Sequence, residues 1–74
     1  MKLLVTPRLG EILKERGLTQ TWLSAESGIP QGSISRFDKN TRHEDVHVFA
    51  IARALNVAVD ELFTITEIDE SASE

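Results

Sequence analysis

Apolar residues recur at helical spacing through the middle of the chain and crowd together at its two flanks. Leu9, Ile12 and Leu13 fall at i, i+3 and i+4, which puts three aliphatic side chains on one face of a helix. Thr6-Pro7 offers an N-cap followed by a proline at the first helical position, and Gly17 suits a left-handed C-cap, so the spacing predicts a helix over about residues 7–16. Thr19 can cap a second helix that runs through Ser27, with Leu23 on its apolar side and Gly28 at its end. Ile29-Pro30 opens a third, which carries Ile34 and Phe37 inward and stops near Asn40, a residue type that tolerates positive φ. The fourth begins at about Glu44, with Val48, Ile51, Ala52 and Leu55 on one stripe, Phe49 beside it and Asn56 as its C-cap. Val59 to Phe63 reads as a short fifth turn.

The flanks KLLVT and FTITEI are β-branched and apolar enough for strands. They can pair as a small ribbon beside the helices or stay irregular, and the pattern leaves both open. The pattern divides the chain into a folded body over residues 1–66 and an acidic tail over 67–74, whose DESASE is too small and polar to bury anything and reads as disordered.

Only Gly28-Ile29-Pro30 joins the second and third helices, and a short turn of this kind containing glycine sets two helices at a steep angle, as in a DNA-binding helix-turn-helix over about residues 19–39. Leu23, Ile29, Ile34 and Phe37 are spaced to fill that angle. The stretch LTQTWLSAESGIPQGSISRFDKN resembles the phage-repressor (Cro-like, xenobiotic-response-element type) helix-turn-helix family, and the similarity runs from about Leu9 to Phe63. The LTQ start, the SGI turn, the SISRF segment and the later IARALNVAVDELF all stand at the family's spacing. The resemblance implies an all-α, five-helix lambda-repressor-like domain that binds operator DNA as a dimer. Three positions depart from the pattern. Ser24 replaces the usual alanine at a close helix approach, and its hydroxyl needs a partner. Trp22 stands where Glu or Gln completes a capping box with Thr19. Pro30 replaces the frequent Ser or Thr cap of the recognition helix.

Size sharpens this picture. A 74-residue chain buries only about 60% of its unfolded surface, and without cysteine it has no disulfide or thiolate cage to help, so oligomerisation is the remaining common route to stability. No apolar run approaches the roughly 18 residues of a membrane span and MKLLV is too short for a signal-peptide core, which makes a cytoplasmic location the expectation. The net charge of −4 argues against nucleic acid until it is divided. Residues 1–59 hold eight Lys and Arg against six acids, a balance of +2, whereas residues 60–74 hold six acids and no base. The body is mildly basic and the acidity belongs to the end of the chain.

A third helix lying in the major groove presents its N-terminal residues to the base edges. Gln31 is in that first turn and can make a bidentate contact to adenine; Arg36 can reach guanine or a phosphate; Ser35 is a short donor. The resemblance adds Gln20 as the residue that buttresses the recognition-helix glutamine and touches a phosphate. Thr21, Ser33, Lys39, Asn40 and Arg42 complete the expected backbone contacts. Each also has a plain reading as ordinary polar surface, and Arg36 can instead pair with Asp38 or Glu26. Arg53 reads as part of a solvated face. Few cations per subunit make two half-sites necessary, which favours a homodimer on a pseudo-palindromic site through Leu62–Ile68 and the N-terminal strand. Trp22 is read as partly packed against a neighbour rather than as an interface anchor.

HEDVH, His43 to His47, spells the H-E-x-x-H of zinc proteases. In the expected fold His43 lies at or outside the edge of the fourth helix, which spoils the i, i+4 geometry, and no cysteine or third histidine is present. The match is a coincidence, no metal or cofactor is expected, and His43 reads as a solvated loop residue or a weak phosphate neighbour. No serine has a base–orienter pair and there is no phosphate-binding glycine loop, so the chain is not read as an enzyme. The conclusion is a transcriptional regulator, a repressor of phage, prophage or plasmid type, that binds double-stranded DNA. With no ligand-sensing domain in view, control is expected from concentration, competition at the operator or a protein antagonist. The rival is a helix-turn-helix antitoxin or adaptor working by protein–protein contact, its tail docking a basic partner.

Overall fold

A computed structural model describes residues 1–69. The order of elements is β1 (Lys2–Pro7), α1 (Leu9–Arg16), α2 (Gln20–Ser27), α3 (Gln31–Arg36), α4 (Asp45–Leu55), a 3-10 turn (Val59–Leu62) and β2 (Phe63–Ile68). The expected all-α, five-helix architecture therefore becomes four α-helices and a two-stranded antiparallel sheet. The fifth helix is a single 3-10 turn, because Leu62 is pulled into the core and the chain leaves at once to pair with β1. The pairing runs in register from Lys2↔Ile68 to Pro7↔Phe63. It takes in Glu67 and Ile68, the first two residues of the segment read as tail, while residues 70–74 lie outside the described residues.

The core is built as the apolar spacing required. Leu9, Ile12 and Leu13 of α1, Leu23 of α2, Ile34 of α3, Ile51, Ala52 and Leu55 of α4, and Ile29, Phe37 and Leu62 from the connections are all buried, and no polar or charged residue joins them among those described. Phe49, expected beside the stripe, stands 55% exposed. Three left-handed residues end helices: Gly17 at φ 66° after α1, Gly28 at φ 75° after α2 and Asn56 at φ 57° after α4. Asn40, proposed from sequence for a similar part, keeps a negative φ, and α3 ends at Arg36 before a run of tight turns. At the far end of α1, Arg16 donates to the Leu55 carbonyl at 2.6 Å and satisfies a C-terminal acceptor of α4.

The start of α1 also differs from expectation. Thr6 and Pro7 belong to β1, opposite Thr64 and Phe63, so they cannot serve as cap and first residue. The helix is capped from a distance instead. The Asp38 carboxylate, 28 residues and more along the chain, accepts the Leu9 N–H and the Gly10 N–H at 2.8 Å each. This satisfies two of the amide groups a helix start leaves unpaired and sets a negative charge against the positive end of the helix. A Cβ at residue 10 would stand 3.0 Å from an Asp38 oxygen, so the glycine admits the carboxylate.

The tie predicts a measurable cost. Asp38→Ala should lower unfolding free energy in urea by about 1–2 kcal/mol, and Asp38→Asn, which keeps one acceptor, by less.

Candidate nucleic-acid interface

The angle between α2 and α3 is set by a compact group of hydrogen bonds. Thr19 Oγ1 accepts the Trp22 N–H at 3.0 Å, half of a capping box that a tryptophan cannot reciprocate. At the other end of α2, Gly28 turns left-handed and donates its N–H to the Ser24 carbonyl at 2.9 Å. Ser24, the departure whose hydroxyl needed a partner, donates to the Ile29 carbonyl at 2.6 Å. The Ser27 hydroxyl donates to the Leu23 carbonyl at 2.6 Å and accepts the Ile29 N–H at 3.2 Å. Leu23 and Ile29 are thereby carried under Ile34, and Pro30, at φ −56°, starts α3 with its carbonyl taken by the Ser33 and Ile34 amides. Trp22 is half-buried against this core, as read from sequence.

With Ile34 and Phe37 pointing inward, α3 turns Gln31, Gly32, Ser35 and Arg36 outward, and all four are exposed. Gln20 and Thr21 are exposed at the start of α2. The Arg36 guanidinium folds back along α3: a Cβ at residue 32 would lie 3.4 Å from one of its terminal nitrogens. The glycine makes room for that head, so the cation sits beside the first turn of α3 rather than a turn and a half beyond it. Arg36 forms no ion pair among the described residues; Asp38, its suggested surface partner, is committed to α1. Ser35 donates to the Gly32 carbonyl at 3.0 Å, which leaves its oxygen as an acceptor.

The remaining candidates divide between two hollows. Ser33, Arg36, Asn40 and Arg42 line a cleft of about 130 Å³ between α3 and the start of α4, together with His43, Glu44 and His47. Lys39 lines an adjoining groove of about 300 Å³ against the base of the ribbon, which shares Asn40 and His43 with the cleft. Arg36 joins the outward residues of α3 to this cleft, whereas Lys39 lines only the second groove.

His43 is where the sequence reading needs correction. It is half-buried rather than solvated: its Nε2–H donates to the Phe37 carbonyl at 2.7 Å, and its ring lies 4.1 Å from that of Phe37. A carbonyl only accepts, so Nε2 carries the proton. The ring thus closes the turn after α3 and holds the loop of Asn40 and Arg42 against it. His43 lies outside α4, whereas His47 lies on it and pairs with Glu44 at 3.1 Å. Among the described residues no three His, Cys, Asp or Glu side chains come together as metal ligands, and no helix is long and apolar enough to cross a membrane.

Removing this ring tests its structural part. His43→Ala should cost about 1–2 kcal/mol in unfolding, a stacked aromatic pair plus one hydrogen bond, whereas His43→Phe should recover the stacking share.

A model of the Cro/C1-type HTH DNA-binding domain matches residues 8–67. No curated protein and no solved structure matches the chain.

Proposed function

The chain belongs to the Cro/C1-type helix-turn-helix DNA-binding domain family, and we propose that it is a sequence-specific repressor of phage, prophage or plasmid type. It binds a pseudo-palindromic operator as a homodimer in the cytoplasm and represses by occluding promoter DNA. The observation that carries this reading is the joint exposure of Gln31 and Arg36 on the first turns of α3, with Gln20 and Thr21 beside them.

On docking, α3 enters the major groove. Gln31 takes an adenine edge through its amide, and the Arg36 head, held beside Gly32, takes a guanine at the neighbouring position. Ser35, with its proton engaged, is restricted to accepting from a base amino group. Gln20, Thr21, Ser33, Asn40 and Arg42 meet phosphates along the flanks of the groove. The geometry gives least support to Lys39, which borders the ribbon groove instead. Cations are few, so one subunit binds weakly and two half-sites about 34–36 Å apart multiply the affinity.

The antitoxin or adaptor reading has one observation in its favour, the uncovered apolar pair Val46 and Phe49 on α4, 73% and 55% exposed. A protein antagonist of the repressor would find the same patch.

Selection from a random duplex library tests the proposal. An inverted repeat should be enriched, and its affinity should fall steeply with added salt. Gln31→Ala should cost about 1–3 kcal/mol on the selected site and relax preference at one position per half-site. Arg42→Ala should weaken all sequences alike and flatten the salt slope by about 1 per subunit. Recovery of no preferred sequence at any salt concentration would overturn the reading.

A further inference from the structure

Gly32 is the one position on the outward face of α3 that carries no side chain, and its backbone gives no reason for the omission. Gly17 and Gly28 are left-handed, whereas Gly32 keeps a negative φ inside a helix, where glycine costs stability relative to alanine. What the missing side chain leaves is room. The three atoms nearest to where its Cβ would stand all belong to the Arg36 guanidinium: Nη1 at 3.4 Å, Nη2 at 3.5 Å and Cζ at 3.8 Å. A helical side chain leans back over the residue four before it, which brings Arg36 to this spot. Both terminal nitrogens stand nearer than the carbon that joins them, so the open end of the fork is turned toward the first turn of α3, where Gln31 stands.

Arg36 has a second place to go. It also lines the cleft between α3 and α4, with Ser33, Asn40 and Arg42, the three residues assigned above to phosphates. A cation lodged there would neutralise a phosphate and carry no sequence information. Among the described residues no ion pair or side-chain hydrogen bond fixes the guanidinium in either place. The open space over Gly32 is therefore what admits it to the first turn.

We infer that Gly32 is a specificity-determining position, which decides that Arg36 reads a base rather than a phosphate. The inference rests on the proposed DNA reading and deepens it by naming what sets the guanine beside the adenine of Gln31. Guanine O6 and N7 are taken together only by a fork that is free at its open end. A side chain at residue 32 would stand in front of both terminal nitrogens and turn the head toward the cleft, while the amide of Gln31 stays free to meet its adenine.

Selection from a random duplex library, followed by salt titration, separates the two placements. Wild type should enrich a guanine adjoining the adenine in each half-site, and exchanging that guanine should cost about tenfold in affinity. Gly32→Val fills the space with a stiff, branched side chain and favours the helix over glycine. It should keep the adenine preference while the guanine exchange costs less than about twofold. Its binding should also steepen with salt by about 1 per subunit, as the released head meets a phosphate. Misfolding would remove the adenine preference as well. Arg36→Ala should abolish the guanine preference alone, and added to Gly32→Val it should alter no base preference. If Gly32→Val binds no operator, Gly32→Ala decides: its methyl, in contact with the head, should lower guanine discrimination by about threefold. Full guanine discrimination in whichever of these variants binds overturns the inference and leaves the proposed function standing. A wild type that selects no sequence overturns the proposed function and the inference with it.

Discussion

The Asp38 carboxylate is the hinge pin of this small domain. It lies just after α3, yet its two oxygens hold the first amides of α1 at 2.8 Å. The residue that caps α1 and the outward face of α3 are thus separated by only two peptide bonds, from Arg36 to Asp38. A helix of six residues has little stability of its own, so the placement of α3 depends on what holds its ends. At its start the Ser24, Ser27 and Gly28 bonds fix the turn; at its end Asp38 fixes it to α1 and the His43 ring closes the Phe37 carbonyl. Side chains on such a helix are presented in a defined geometry without a large core behind them.

The same end of α3 connects to the ribbon. Phe37 packs on His43 and Phe63, so one aromatic cluster joins the loop that carries Arg42, the end of α3 and the base of β2. That cluster gives the ribbon a structural connection to the outward surface of α3.

Much of this was legible in the sequence because the signals are local. Leu9, Ile12 and Leu13, the Thr19 cap, the Gly17 and Gly28 stops and the Ile51, Ala52, Leu55 stripe each lie within one or two turns of what they determine. The ribbon was one of two open readings, since KLLVT and FTITEI say nothing of each other across some sixty residues. The start of α1 was misplaced for a related reason: Thr6-Pro7 looks like a helix start, but long-range pairing to Thr64 and Phe63 claims it, and the true cap comes from Asp38. His43 was read as a loop residue because nothing local marks a ring that stacks six residues back on Phe37. Gln31 and Arg36 are identifiable from their place on the third helix and Gln20 from the family resemblance, whereas the fold of the Arg36 head over Gly32 needs three dimensions.

The account rests on the outer surface of α2 and α3 being the part of the molecule that meets DNA. Titrating the nitrogen-15-labelled chain with a short duplex, at low salt and then with the selected operator, would map the contact amide by amide. The account predicts the largest shifts at Gln20, Thr21, Gln31 through Arg36 and Arg42, with α1 nearly still. Shifts confined to the outer side of α4 at Val46 and Phe49, or to the ribbon, would contradict it.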